Sequence, residues 1–206
     1  MISVLRNKRV LVFGDSHIEG MAPGKYLLSE LEKRSCPAWA NGLKNRSAVS
    51  VVRNEMAGLE RELEMGLNIV LLVLGTNDVP GTATADAYRT LKKTIEAAGA
   101  EAWLVGPPHF PNDAEEAKAL QNVVLEAPIF GATWIDSMNI IDRRIEGRGG
   151  PPYVHFDDVG GKRWAEGIVQ ELVSRLSQQY WRVGVGIVTG LAAVVAAGVV
   201  IIGGTR

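Results

Sequence analysis

The chain has 206 residues, of which 47% are hydrophobic and 22% charged, and a formal net charge of −1. This length suits one α/β domain with a short additional segment, and the balanced charge gives no indication of a nucleic-acid-binding protein. Cys36 is the only cysteine, which excludes an intrachain disulfide and predicts a small buried hydrophobic side chain at this position.

Apolar runs that end in small or polar residues predict strands, and the amphipathic stretches between them predict helices. The predicted strands are 9–14, 68–75, 100–106 and 132–137, with a weaker candidate at 36–42. The predicted helices are 23–34, 48–66, 83–98, 113–125 and 159–178. Alternating apolar strands and helices indicate a parallel sheet covered on both faces. We therefore expect an α/β fold at 1–179: a flavodoxin-like α/β/α sandwich with five parallel strands and a ligand site at their carboxyl ends.

The first predicted strand ends in the sequence GDS. Gly14 permits a tight turn, which would present the Ser16 hydroxyl above the sheet, beside the backbone N–H groups that open the next helix. A serine hydroxyl becomes a nucleophile when a base accepts its proton. The alternative is that Ser16 caps that helix.

The strand at 68–75 ends in the sequence GTND, at the same edge of the predicted sheet. The side-chain amide of Asn77 could donate a hydrogen bond to an oxyanion there. The alternative is a turn in which Asn77 and Asp78 bond to their own backbone.

Three histidines could supply the base. His17 is next to Ser16 in sequence, but on such a turn we expect its side chain to diverge from Ser16 and lie at the surface. His109 follows the strand at 100–106, where it could line the cleft or lie solvated in a loop. His155 lies in a Gly/Pro-rich loop that could bring its imidazole beside Ser16, and histidine is the usual acid–base group near neutral pH.

Residues 183–202 form a run of 20 positions without a charge, preceded by Tyr180, Trp181 and Arg182. This length suffices for a helix to cross a bilayer, and the preceding residues are typical of an interfacial anchor. We expect 180–206 to be a C-terminal transmembrane helix; the alternative is a helix buried within the protein.

Gly186 and Gly190 within this run have the GxxxG spacing of paired membrane helices, which predicts a homo-oligomer. The N-terminal region lacks the apolar segment of a signal peptide. We therefore expect the domain to face the cytosol, or to belong to a virion if the protein is viral.

The motifs GDSH, GTND and VHFDDVGGKRWA together resemble those of the SGNH (GDSL-type) hydrolases, across about residues 9–178. The resemblance implies that Ser16 is the nucleophile, that Asn77 and the Ser16 N–H are oxyanion donors, and that His155 is the general base. Further candidates for lining the cleft are Asp15, Asp78 and His109. No metal or organic cofactor is expected.

The sequence departs from the family pattern where an aspartate usually precedes the histidine by three residues, because Pro152 stands there. A Ser–His dyad with a backbone carbonyl behind His155, or another acid such as Asp136, would have to replace it. Asp157 and Asp158 are better interpreted as caps of the last helix.

A second departure concerns the glycine whose backbone N–H supplies a further oxyanion donor in the family. Gly42 is the candidate, although Asn45, Arg46 or Ser47 would lie nearer the hole.

These features predict a serine esterase or deacetylase that acts on an acyl ester, either an O-acetyl group of an envelope polysaccharide or a lipid ester. The alternative is a catalytically silent SGNH-fold module that binds a glycan or partner while its tail is anchored in a membrane or virion. A nucleotide-binding domain is a more distant alternative, because neither a GxGxxG nor a P-loop pattern occurs in the sequence.

Overall fold

The computed structural model describes residues 4–19, 22–111, 113–141 and 155–202, with 22–23 and 182–202 as backbone only. Five strands form one parallel sheet in the order β2-β1-β3-β4-β5. They are β1 Val10–Gly14, β2 Ala38–Gly42, β3 Ile69–Val73, β4 Glu101–Val105 and β5 Trp134–Ile135. This is the flavodoxin-like order, so the predicted α/β fold with five parallel strands is confirmed.

Six α-helices accompany the strands in the described part of the chain. They are α1 Ala22–Glu32, α2 Ala48–Asn54, α3 Met56–Leu63, α4 Thr82–Ala97, α5 Asp113–Phe130 and α6 Asp158–Ile202. Two 3-10 turns, Gly131–Thr133 and Ser137–Asn139, flank β5. The predicted helix at 48–66 is therefore two helices, because Glu55 has a non-helical backbone (φ −121°, ψ 0°).

Alternate residues of the strands enter two separate cores, because successive side chains of a strand point to opposite faces. Val10 and Val12 of β1 pack with α1 and α6, whereas Leu11 and Phe13 pack with α2 to α5. Cys36 is buried in the first of these cores, as predicted.

The predicted helix at 23–34 is confirmed as α1, which begins at Ala22, and a turn lies between Ser16 and this helix. No helix segment with described side chains is long and apolar enough to cross a membrane. The predicted span at 183–202, with its Gly186–Gly190 pair, lies outside the described side chains, and Pro152 lies outside the described residues.

Candidate active site

Ser16 and His155 meet at the carboxyl edge of the sheet. Ser16 Oγ lies 2.9 Å from His155 Nε2, within hydrogen-bond distance. Ser16 follows β1, and His155 lies just before α6, whose first turn is capped by the Asp157 carboxylate accepting from Gly160 N. The structure thus brings together a hydroxyl and an imidazole in the arrangement needed for proton transfer between them.

The turn after β1 is shaped by Asp15. The Asp15 carboxylate accepts a hydrogen bond from His17 N at 3.0 Å, while the Asp15 carbonyl accepts from the backbone N–H groups of Ile18 and Glu19. Ser16 is therefore held inside a closed turn and does not cap α1. A side chain at Gly14 would place its Cβ 2.6 Å from the carbonyl oxygen of Val73, so this turn requires glycine there.

Asn77, after β3, reaches two neighbouring segments. Its Nδ2 lies 3.4 Å from Asp15 Oδ2 and 3.3 Å from the backbone carbonyl of Arg46. The amide therefore points across to β1 and to the loop after β2, beside the turn that carries Ser16.

Gly42 ends β2 directly against that same turn. A Cβ at this position would lie 2.3 Å from the backbone nitrogen of Glu19. Close backbone contact explains the glycine, and its role as an oxyanion donor stays a prediction. Asn45, three residues further on, has a positive φ of 55°, which turns the loop toward α2.

Asp15 and Asp78 are fully buried, so their side chains are shielded from solvent, and their role in lining a cleft stays a prediction. Burial raises the pKa of Asp15 to about 7, and the nearby charge of Asp78 adds to this, while the hydrogen bond from His17 N opposes it. Burial likewise raises the pKa of Asp78, against the hydrogen bonds that it accepts from Tyr88 and Ala48.

Asp78 fixes the relative position of three segments. Its Oδ1 accepts from Ala48 N at 2.7 Å, and its Oδ2 accepts from the Tyr88 hydroxyl at 2.5 Å. The loop that carries Asn77 is thereby attached to the first turn of α2 and to α4.

Two buried polar residues of α5 lie beside this loop and were missed in the sequence. Asn122 Nδ2 donates to the carbonyl oxygens of Gly75, at 3.1 Å, and Asp78, at 3.3 Å. Glu126 is buried one turn later, and burial raises its pKa well above its ordinary value, with the Asp78 charge adding to the effect. The available signal was their spacing with the buried Ala119 and Phe130 on one face of the helix.

His17 is buried, so the prediction of a surface side chain is wrong. Its ring centroid lies 5.2 Å from that of His155, 5.7 Å from Trp164 and 5.8 Å from Phe156. The closed turn directs the side chain inward, where the start of α6 covers it.

His109, after β4, is linked to the first turns of α5. Its Nδ1 lies 2.5 Å from Glu116 Oε1, and the other carboxylate oxygen of Glu116 accepts from Phe110 N. The side chain is about a quarter exposed (26%), so His109 is not wholly solvated.

Asp136, considered as a replacement acid, caps a 3-10 turn. Its carboxylate accepts from Met138 N at 3.0 Å and from Asn139 Nδ2 at 2.7 Å. Across the ranges that the structure describes, no group of three or more His, Cys, Asp or Glu side chains is arranged to hold a metal ion.

Solved structures with the same fold include several esterases. An acetylxylan esterase from Geobacillus stearothermophilus, solved as a catalytic mutant, has a TM-score of 0.68 at 14% identity, covering 82% of this chain and 95% of that one. A family 3 carbohydrate esterase from Clostridium thermocellum has a TM-score of 0.64 at 14% identity, with coverage of 84% and 99%. The psychrotrophic esterase EstA from Pseudoalteromonas sp. has a TM-score of 0.63 at 15% identity, with coverage of 83% and 100%.

No family model matches the sequence, and no curated protein matches it. At these identities the structural similarity establishes the fold, which is that of the SGNH/GDSL-type hydrolases.

Proposed function

We propose that this chain is a serine ester hydrolase. The observation that carries the proposal is the 2.9 Å separation of Ser16 Oγ and His155 Nε2 at the carboxyl edge of the sheet. The esterases of the same fold, at 14–15% identity, support the reaction class.

The reaction has two stages. Ser16 Oγ attacks the acyl carbonyl carbon as His155 Nε2 accepts the hydroxyl proton, and the carbonyl becomes a tetrahedral oxyanion. When this intermediate collapses, the alcohol leaves with the proton from His155 and the acyl group remains on Ser16. A water molecule then attacks the acyl-enzyme with His155 as base, releasing the carboxylic acid and restoring the Ser16 hydroxyl.

Asn77 Nδ2 and the backbone N–H of Ser16 would stabilise the oxyanion. A third donor would come from the backbone between Gly42 and Ser47. The proximity of Asn77 Nδ2 to the carbonyl of Arg46, at 3.3 Å, supports this loop as its source.

We propose an O-acetylated polysaccharide as the substrate class, supported by the names of the acetylxylan esterase and the carbohydrate esterase. Acetate release from acetylated xylan should exceed hydrolysis of p-nitrophenyl palmitate. Preference for the palmitate ester would indicate a lipid ester instead.

The test of the enzyme is labelling of the full chain with a fluorophosphonate probe, together with hydrolysis of p-nitrophenyl acetate. Ser16→Ala should abolish labelling, and His155→Ala should reduce it strongly. The matched control is Ser174→Ala, because Ser174 is an exposed serine on α6. Negligible labelling and hydrolysis by the unaltered chain would reject the hydrolase and favour the silent binding module that Pro152 suggests.

From the sequence alone, we propose that 183–202 anchors the chain in a membrane. The full chain should then stay with membranes after a carbonate wash, and Val195→Lys with Val199→Lys should release it. Two lysines at Ser174 and Gln178, outside the apolar run, are the control. Release of the unaltered chain without detergent would reject the anchor.

A further inference from the structure

The ring of His17 lies against the ring of His155, whose Nε2 meets Ser16. The two ring planes are inclined at 62° in an edge-to-face arrangement, with centroids 5.2 Å apart. Edge-to-face packing is one of the two arrangements that pairs of aromatic rings prefer.

The His17 ring is itself held firmly. It is 1% exposed, and the rings of Phe156 and Trp164, which also pack on each other at 5.4 Å, lie against it. The Trp164 indole N–H donates to Ser137 Oγ, and the backbone N–H of His17 donates to the Asp15 carboxylate. His17 is therefore a fixed surface against which a neighbouring ring can be oriented.

We propose that His17 is a positioning residue, whose ring keeps the His155 imidazole turned so that Nε2 faces Ser16. The last torsion of a histidine side chain is broad and roughly two-fold, so something other than its own rotamer preference must select one ring orientation. In this protein the ring of His17, packed against Phe156 and Trp164, favours the orientation in which Nε2 faces Ser16.

The flat ring of His17 is the feature to which we assign this role. Phenylalanine at this position keeps a planar ring that can pack edge to face, whereas leucine and glutamine keep comparable bulk without one. The three variants therefore separate ring packing from both volume and hydrogen bonding.

Kinetic measurement of the full chain provides the first test, and this part of the inference rests on the proposed function. His17→Leu and His17→Gln should lower kcat about 10- to 100-fold with KM within about twofold, since misplacement of a reacting group by about 1 Å can cost a factor of 100. His17→Phe should retain kcat within about threefold. Loss in His17→Phe equal to that in His17→Leu would reject ring packing, as would full activity in His17→Leu.

NMR provides a second test that needs no activity. Nuclear Overhauser effects from the His155 ring to the Ser16 methylene protons should show one ring orientation in the unaltered chain and in His17→Phe, and two in His17→Leu. One orientation in all three would overturn the inference. If the unaltered chain is inactive but these spectra differ as expected, the proposed function fails and the positioning role stands.

Discussion

Gly42 and Glu19 bring two backbone segments into direct contact: a Cβ at position 42 would lie 2.3 Å from the Glu19 nitrogen and 2.4 Å from its Cα. Real Cβ atoms do not approach backbone so closely, and backbone cannot move aside as a flexible side chain can. The contact holds the end of β2 against the turn that carries Ser16.

Gly42→Ala should therefore destabilise the fold by at least about 1–3 kcal/mol and reduce labelling of Ser16. Gly58→Ala is the control, because its Cβ would meet only Arg61 Nη2 at 3.9 Å inside α3. We expect that control to be neutral or stabilising by up to about 1 kcal/mol. Urea unfolding of both variants checks this, and equal stability of the two would contradict the packing argument.

Asn77→Ala should lower kcat by about 10²–10³ with a small change in KM, as the loss of one preorganised oxyanion donor does elsewhere. The matched control is Asn139→Ala, which also removes an amide that donates to an aspartate, but at the 3-10 turn after β5. Steady-state hydrolysis of p-nitrophenyl acetate is the measurement. If Asn77→Ala raises KM and leaves kcat unchanged, Asn77 contributes to substrate binding and is not an oxyanion donor.

Asp15→Asn should change how stability depends on pH. The pKa of folded Asp15 is about 7, above the 3.8 of the unfolded chain, so its protonated form favours folding. That stabilisation is complete below pH 3.8 and is lost as the pH rises through about 7.

Asparagine cannot ionise, so relative to the unaltered chain Asp15→Asn should gain about 2–3 kcal/mol in free energy of unfolding between pH 5 and pH 8. Urea unfolding at the two pH values measures this gain. Asp86→Asn, at an exposed aspartate paired with Arg89, should show little such gain. If the free energies of unfolding of Asp15→Asn and the unaltered chain differ by the same amount at both pH values, Asp15 is ionised throughout this range.

Asn122→Ala should remove the amide that satisfies the carbonyls of Gly75 and Asp78. Leaving two buried acceptors without this donor should cost about 2–4 kcal/mol, and kcat should also fall because the loop carries Asn77. Gln121→Ala, at the exposed neighbouring position on α5, should stay within about 0.5 kcal/mol. Thermal unfolding and kcat of both variants provide the comparison. An unaltered kcat in Asn122→Ala would show that α5 does not affect the position of Asn77.

The sheet was predictable because β1, β3 and β4 are short apolar runs with small or polar residues directly after them. The carboxyl ends of parallel strands lie at one edge of the sheet, so the proximity of Ser16 to Asn77 could be predicted from the strands alone. The split at Glu55 was not predictable, because apolar residues continue at helical spacing on both sides of it.

The surroundings of the site depend on contacts between distant segments. Burial of His17 results from the closed turn and from aromatic residues of the α6 region, neither of which leaves a local pattern. Asn122 and Glu126 are polar residues that would normally mark an exposed helix face, and only their spacing with Ala119 and Phe130 reveals otherwise.

Ser16 and His155 are separated by 139 positions in the chain, and they meet only because α6 packs on α1 through Trp164, Ile168, Leu172 and Leu176. During synthesis, a chain that has already assembled its sheet still lacks the partner of its serine. Competence for chemistry should therefore emerge at the final docking step of folding, later than the bulk of secondary structure.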